Sequence, residues 1–371
     1  MLSRLRSLDP WITFLTFGLC AFGLAVLLSA SGPVAMQRTG NSLYYVRQQF
    51  LFGMLPGTIL FFVCGLIDYR RWRAWALPAF IVSIVLLCMV YVPGLGVKYG
   101  GSRSWVRIGG FQFQPSELVK LTFLIYVSAW LAERKGKAAH DTRTGLIPFL
   151  AAVSAVMILL VFQPDTGSMV VIVGMALLLY FISGAPLMWF VGLCGAGFAL
   201  IALLIKVSPY RAARFMTFLH PELDPQGIGY HINQALLAIG SGGLFGLGFG
   251  NSRQKFLYLP EVESDSITAV MGEELGFVVM AGVIIAFGLI IGRCLMIARD
   301  SRDRFGTYLA SGVAAWIGLE VLLNIGSMTG LMPMTGVTLP FISHGGTAMA
   351  ILLGALGMVA GIPRTNERYR G

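Results

Sequence analysis

The chain has 371 residues, of which 56% are hydrophobic and 12% charged, and its formal net charge is +10. With a mean hydropathy of +0.77, it holds more apolar surface than a water-soluble fold could cover, so lipid is the solvent for most of it. The positive charge falls mainly on one side of the apolar runs; it reads as membrane topology, and no nucleic-acid interface is expected.

Apolar runs long enough to cross a bilayer fall near 11–30, 48–67, 74–92, 116–132, 146–163, 166–183, 186–205, 267–292, 307–328 and 345–362. The expected fold is all-α: one polytopic integral membrane helical bundle over 1–371, with about ten transmembrane helices at about 20 residues each. A large extracytoplasmic loop, 206–265, is expected between helices seven and eight. Nothing shows the period-two alternation and aromatic girdles of a membrane barrel. Sixteen Lys and Arg fall on the N-terminal side, among them Arg70, Arg73 and Arg304, against ten on the other, five of those in the long loop. Both termini are therefore expected inside. Arg4 and Arg6 followed by an apolar core imitate a signal peptide, but a retained first span keeps the charge count in order. Cys20, Cys64, Cys88, Cys194 and Cys294 lie in or beside apolar runs without close spacing, as small hydrophobes rather than a disulfide or metal set.

Three connections stand out. Pro93 to Gln114 reads as an outer loop with Lys98, Arg103, Trp105 and Arg107. Within the long loop, Gly229–Ile239 has the pattern of a short amphipathic interfacial helix, broken by the glycines of 240–250. Gly330–Gly346 is apolar yet dense in Gly and Pro, which suits a re-entrant segment buried in protein.

Ionisable residues are few within the spans. Glu117 and Lys120 sit three apart at the start of the fourth helix, on one face and able to pair. They act either as dipole compensation after Pro115 or as a polar pocket inside the bundle. Asp165 opens the sixth helix and precedes Ser168 by three, as an N-cap would. Glu320 and Asn324 are i,i+4 in the ninth span and suit a hydrogen bond within the bundle. Asp265 stands where the long outer loop meets the eighth span, after Arg211, Arg214, Arg253 and Lys255. Capping by Ser264, Asp265 or Ser266 competes there with chemistry. Glu273, eight residues on, can border the same cavity, whereas Glu274 faces a neighbouring helix. No zinc spacing, P-loop, dinucleotide site or nucleophile elbow is present.

Several stretches resemble the SEDS (shape, elongation, division and sporulation) family of membrane proteins. They are Gly100-Gly101-Ser102-Arg103-Ser104-Trp105, Phe113–Lys120, Gln163–Ser168, Gly250-Asn251-Ser252, Tyr258–Glu261, Gly272–Gly276 and Leu339–Ser343 with Gly345-Gly346. The piece Gly250–Glu261 is nearer the FtsW branch than the RodA branch. The resemblance implies a peptidoglycan glycosyltransferase that polymerises lipid II into glycan strands at the outer face of the bacterial cytoplasmic membrane, in division or cell-wall growth. It implies a class B penicillin-binding protein as partner, alongside other division or elongation membrane proteins, and the growing polyprenyl-pyrophosphate-linked glycan as second substrate. The family's catalytic aspartate falls on Asp265. Glu263 stands where the family commonly has His, Ser264 where it has Thr, Ser266 where it has Phe, and His344 where Tyr is usual.

On this reading Asp265 accepts the proton of the acceptor's sugar hydroxyl as that oxygen attacks the donor's anomeric carbon. Arg103, Arg107, Lys120, Arg211, Arg214 and Lys255 are candidates to stabilise the pyrophosphate, and Glu117, Asp165, Glu273 and Ser343 complete the expected substrate-binding set. No cofactor is required; a divalent cation, Mg²⁺ or Mn²⁺, would supply further charge. The rival reading is a transporter that flips lipid II or a related lipid-linked sugar.

Overall fold

The computed structural model describes residues 8–99, 102–109, 111–134, 141–207, 209–220 and 227–368; within these, the side chains of 98, 99, 102, 108, 111, 204, 209–211, 214, 228 and 365–368 lie outside the described set. In chain order the elements are α1 (Pro10–Thr39), α2 (Tyr44–Leu66), α3 (Tyr69–Met89), β1 (Gly96–Tyr99), β2 (Ser102–Ile108), β3 (Phe111–Phe113), α4 (Pro115–Glu133), α5 (Thr142–Phe162) and α6 (Thr166–Ile182). They continue as α7 (Leu187–Val207), α8 (Pro209–Leu219), α9 (Ile228–Gly242), α10 (Ile267–Arg299), α11 (Arg304–Met328) and α12 (Gly346–Arg368).

Eight of these helices are long and apolar enough to cross a membrane. Counting the ten expected spans takes two more helices: α6, apolar but shorter at 17 residues, and α4, whose 19 residues include Glu117, Lys120 and Glu133. Bulky apolar side chains face outward, among them Phe14, Trp75, Phe198 and Phe277. That exposure costs nothing in lipid.

Aspartates start several helices by accepting a backbone N–H of the first turn: Asp9 from Ile12, Asp68 from Arg70, Asp165 from Ser168 and Asp303 from Gly306, each within 3.0 Å. Asp9 is followed by Pro10, whose missing N–H costs nothing at that position. Contacts at helix ends sort into two groups. At one end Asp9 pairs with Arg293, Tyr69 and Arg70 bond Asp303, and Arg364 donates to the carbonyl of Leu66. At the other end lie the sheet, α9, Asp265 and the segment 329–345.

The outer connection expected as a plain loop folds as an antiparallel sheet in the order β1-β2-β3. Val106 faces Gly96 on one side and Phe113 on the other. The amphipathic helix expected over 229–239 is α9, which ends at Gly242. Between α11 and α12 the chain is irregular yet buries Met334, Val337, Leu339, Phe341 and Ile342. It is thus non-helical backbone enclosed by protein, the one setting in which such backbone is stable at membrane depth.

Helix α10 is broken at Gly276, which has φ 75° and ψ −177°. A break frees backbone groups that lipid cannot satisfy, and the turn after α9 supplies their partners. Leu247 and Gly248 donate to the carbonyls of Glu273 and Glu274 at 2.9 and 3.0 Å, while Phe277 and Val278 donate to those of Gly243 and Leu244 at 2.9 and 3.1 Å. A Cβ at Gly276 would meet Gly246 N, Leu244 O and Phe245 C, so the glycine serves both conformation and close approach.

Candidate active site

Asp265 is half-buried, one residue before the N-cap of α10. The cap position is Ser266, and it makes no side-chain cap bond. Its hydroxyl instead donates to the carbonyl of Pro260 at 2.7 Å and meets His231 Nε2 of α9. The backbone of Asp265 is fixed from across the bundle: Asn324 Nδ2 of α11 donates to its carbonyl at 3.0 Å and to that of Val337 at 2.7 Å. Asn324 Oδ1 in turn accepts the hydroxyl of Thr268, one turn into α10. One amide thereby ties together the start of α10, α11 and the buried segment before α12.

One helical turn below Asn324 lies Glu320, which with Glu117 and Lys120 forms a buried triad. Lys120 Nζ is 2.7 Å from Glu117 Oε2 and 2.5 Å from Glu320 Oε1, with the three side chains 4–8% exposed. The ammonium also faces the Trp316 ring at 5.4 Å. The expected Glu117–Lys120 pair is present, and Glu320, 200 residues away in sequence, completes it. Next to it Asp165 caps α6 and accepts the hydroxyls of Ser116 at 3.0 Å and Ser168 at 2.9 Å. Gln114 also donates to Asp165, and Ser104 of β2 donates to the neighbouring carbonyl of Gln163. Polar contacts therefore run from the sheet through Asp165 and, across adjoining turns of α4 and α11, from the triad to Asp265.

Lys255 and Glu273 have a different task from the one expected of them. Lys255 Nζ bonds Gly250 O at 2.6 Å, Glu274 Oε1 at 2.8 Å and Ser29 Oγ at 3.1 Å, which uses all three of its donors and leaves none for pyrophosphate. Glu273 accepts the hydroxyl of Ser252 and the N–H of Arg253 at 3.0 Å and of Gln254 at 3.3 Å, so it faces the loop rather than a cavity. Glu274 reaches Ser29 of α1 at 2.7 Å, as its expected turn toward a neighbouring helix requires. Together these carboxylates pin the strap from Gly250 to Ser266 against the broken α10.

A second fastening joins the strap to α1 and α2. Arg38 Nη1 lies 2.9 Å from Glu263 Oε1 and donates to the Tyr45 hydroxyl at 2.9 Å. Tyr45 meets the His344 ring edge-on at 5.1 Å, and the His344 N–H donates to the Glu263 carbonyl at 2.8 Å. Glu263 Oε2 is buried without a hydrogen-bond partner among the described residues. Removal from water, reinforced by the charge of Glu263, holds the carboxyl of nearby Glu261 above the ordinary glutamate range. Ser343 is turned inward: its hydroxyl accepts the Leu339 N–H at 2.9 Å, while Gln49, in the wide helical turn Gln49–Met54 of α2, donates to its carbonyl at 3.0 Å.

Of the remaining expected residues, Arg103 reaches the carbonyl of Val92 at 3.3 Å, and Arg107 is exposed on β2. The side chains of Arg211 and Arg214 lie outside the described residues. Among the described residues no group of three His, Cys, Asp or Glu is arranged to hold a metal ion. Arg38, Tyr45 and Ser29 escaped sequence reasoning; their types are ordinary, and only the fold brings them to the strap.

The family model described as cell cycle protein, covering FtsW, RodA and SpoVE, matches residues 10–368. The chain belongs to the FtsW/RodA/SpoVE family. Within it, stage V sporulation protein E of Bacillus subtilis (strain 168) is 36% identical over 364 residues, covering 98% of this chain and 99% of that one. A probable peptidoglycan glycosyltransferase FtsW of Thioalkalivibrio sulfidiphilus is 37% identical over 362 residues, covering 97% and 90%. Among solved structures, a chain from work on the structural coordination of polymerization and crosslinking by a peptidoglycan synthase complex matches with TM-score 0.77 at 28% identity, covering 98% of this chain and 99% of that one. The rod shape determining protein RodA of Thermus thermophilus matches at 0.72 and 27%, covering 98% of each. The FtsW/RodA/SpoVE fold is a polytopic helical membrane bundle, as the apolar runs imply.

Proposed function

We propose that this chain is a peptidoglycan glycosyltransferase whose general base is Asp265. The family membership and the names of its relatives support the reaction class. The observation that carries the residue is its setting: a half-buried carboxylate where the outer strap meets α10, with its backbone fixed by Asn324. A base must sit within hydrogen-bond reach of the hydroxyl it deprotonates. Here the lipid anchor of a polyprenyl-pyrophosphate-linked donor stays in the bilayer while its sugar reaches this boundary. Asp265 takes the proton of the acceptor's sugar hydroxyl, the oxygen bonds to the donor's anomeric carbon, and the polyprenyl pyrophosphate leaves with its electron pair. Arg103, Arg107, Arg211 and Arg214 are the candidates to meet that anion, since Lys255 and Lys120 are held in buried ion pairs.

In this reading the substrates are lipid II and the growing polyprenyl-pyrophosphate-linked glycan, the site faces the exterior of the cytoplasmic membrane, both termini are cytoplasmic, and a class B penicillin-binding protein is the partner. Purified protein supplied with lipid II and that partner should form polymer, and Asp265→Asn should abolish it while leaving the thermal unfolding curve in place. Polymer at the normal rate from that variant would remove the residue from the mechanism. A chelator arm tests the divalent cation.

The broken α10 is the one feature that favours a transporter, because transporters build their sites on interrupted helices. In this chain, however, the groups freed by the break bond the backbone of the turn after α9 and are not offered to a passing solute. Lipid movement between leaflets without polymer would select the transporter.

A further inference from the structure

We propose that the end of the bundle opposite Asp265 carries a pocket for a phosphate-bearing anion, supplied by the headgroup of an anionic membrane lipid. The pocket has a volume of about 350 Å³ and is lined by Arg70, Arg73 and Arg304, with Asp303, Ala132 and Phe305 completing it. That is within the size range of small-ligand sites, roughly 300–1,000 Å³.

Charge is the first argument. Arg70 pairs with Asp303 at 2.9 Å and Arg73 with Glu133 at 3.1 Å, while Arg304 donates to the backbone carbonyl of Arg134 at 3.2 Å. Arg134 itself lies over the Trp130 ring at 4.3 Å. Two carboxylates thus serve four guanidiniums. The Arg73–Glu133 pair has side chains 45% and 63% exposed, and ion pairs that open to water hold their partners weakly.

Placement is the second. The preference for Lys and Arg on the cytoplasmic side accounts for arginines at this end of the bundle. It does not account for their position at helix starts, which carry the positive end of the helix dipole and disfavour cations. Arg70 and Arg73 stand in the first turns of α3, and Arg304 opens α11. Asp68 and Asp303 already cap these two starts, and an anion between them adds partners for the guanidiniums that those carboxylates leave over.

The third argument selects the source. Helix α3, which supplies Arg70 and Arg73 to the pocket, also exposes Trp75 at 65% and, further along, Ile81, Val82 and Val85. A tryptophan at the headgroup level above an apolar stripe offers acyl chains a path that a soluble phosphate would not use.

The test is independent of the glycosyltransferase reading. The full chain, exchanged into nanodiscs of phosphatidylcholine with or without phosphatidylglycerol, is released into native mass spectrometry, and retained lipids are counted. Phosphatidylglycerol should be retained in preference, and Arg73→Gln with Arg304→Gln should weaken retention about tenfold. Arg47→Gln, which removes an exposed cation from the opposite end, should leave it unchanged. If the double variant does not fold, the single Arg73→Gln is used, with a loss of retention again expected. Equal retention of the two lipids, or retention untouched by either pocket variant, overturns the pocket. Stabilisation by inorganic phosphate in phosphatidylcholine discs, with none from phosphatidylglycerol, overturns the lipid source.

Discussion

Lys120→Met isolates the buried triad. The ammonium stands 2.7 and 2.5 Å from two carboxylates on different helices, and all three side chains are at most 8% exposed. Methionine fills nearly the same volume but removes the one cation, leaving Glu117 and Glu320 adjacent in a medium that cannot hydrate them. Removing one partner of a buried ion pair costs about 3–5 kcal/mol, most of it the penalty on the charge left behind. For a chain of this size that corresponds to a fall in Tm on the order of 4–6 °C.

The reasoning also predicts where the damage spreads. Glu320 and Asn324 occupy successive turns of α11, and Asn324 holds the backbone of Asp265. A loosened α11 therefore reduces polymerisation as well as stability. Replacing the whole triad by neutral residues, with Glu117→Gln and Glu320→Gln added to Lys120→Met, should recover most of the Tm, because buried triads exchange for neutral groups at little net cost. Thermal unfolding in detergent, followed by tryptophan fluorescence and paired with a lipid II polymerisation assay, reads both. An unchanged Tm for Lys120→Met would refute the argument, since two unpaired buried carboxylates could not then be as enclosed as described.

Gly276→Ala should cost at least about 3 kcal/mol, because its backbone lies in a region that only glycine adopts comfortably and a Cβ would strike the turn after α9; chemical unfolding checks this, and a neutral effect would mean the break is not held. Lys255→Met should lower Tm while leaving the KM for lipid II of the surviving fraction unchanged, since the ammonium serves Glu274 and Ser29; a raised KM with normal stability would restore it as a pyrophosphate ligand. Glu261 has a raised folded pKa, so its contribution to stability is complete below the unfolded value and is lost as pH rises through the folded one. Glu261→Gln should therefore raise Tm at neutral pH and leave it unchanged below the ordinary carboxylate range; equal curves at both would remove the shift.

The spans were legible because lipid imposes a rule that survives in the bare sequence: a run of apolar residues or no crossing. Glu117 and Lys120 were legible for a similar reason, since i,i+3 spacing puts them on one face whatever surrounds them. Glu320 could be seen as a bundle residue but not as the third member of that pair, because nothing local links positions 200 residues apart. Lys255 and Glu273 were read as substrate groups on their charge and their closeness to Asp265. The strap's backbone claims them instead, a demand that appears only once α10 is seen to break. Glycine in an apolar helix is too common a sight to announce that break. The strands over 96–113 were missed for want of alternation in a short sheet, whose strands have four, seven and three residues.

Positions 263 and 344, where the chain departs from the family's usual His and Tyr, turn out to be neighbours. The His344 N–H bonds the Glu263 carbonyl, and its ring rests on Tyr45, whose hydroxyl shares Arg38 with the Glu263 carboxylate. The Glu263 side chain is buried, and Arg38, 54% exposed at the end of α1, reaches it from the solvent side. The two departures thus meet at one charged fastening between α1 and the strap. Asp265, two residues further along, is consequently set from three directions: by Asn324 through its backbone, by α10 through its own chain, and by Arg38 through Glu263. A general base has to meet a sugar hydroxyl on a substrate whose lipid tail is mobile, and such bracing fixes the only partner in that encounter that can be fixed.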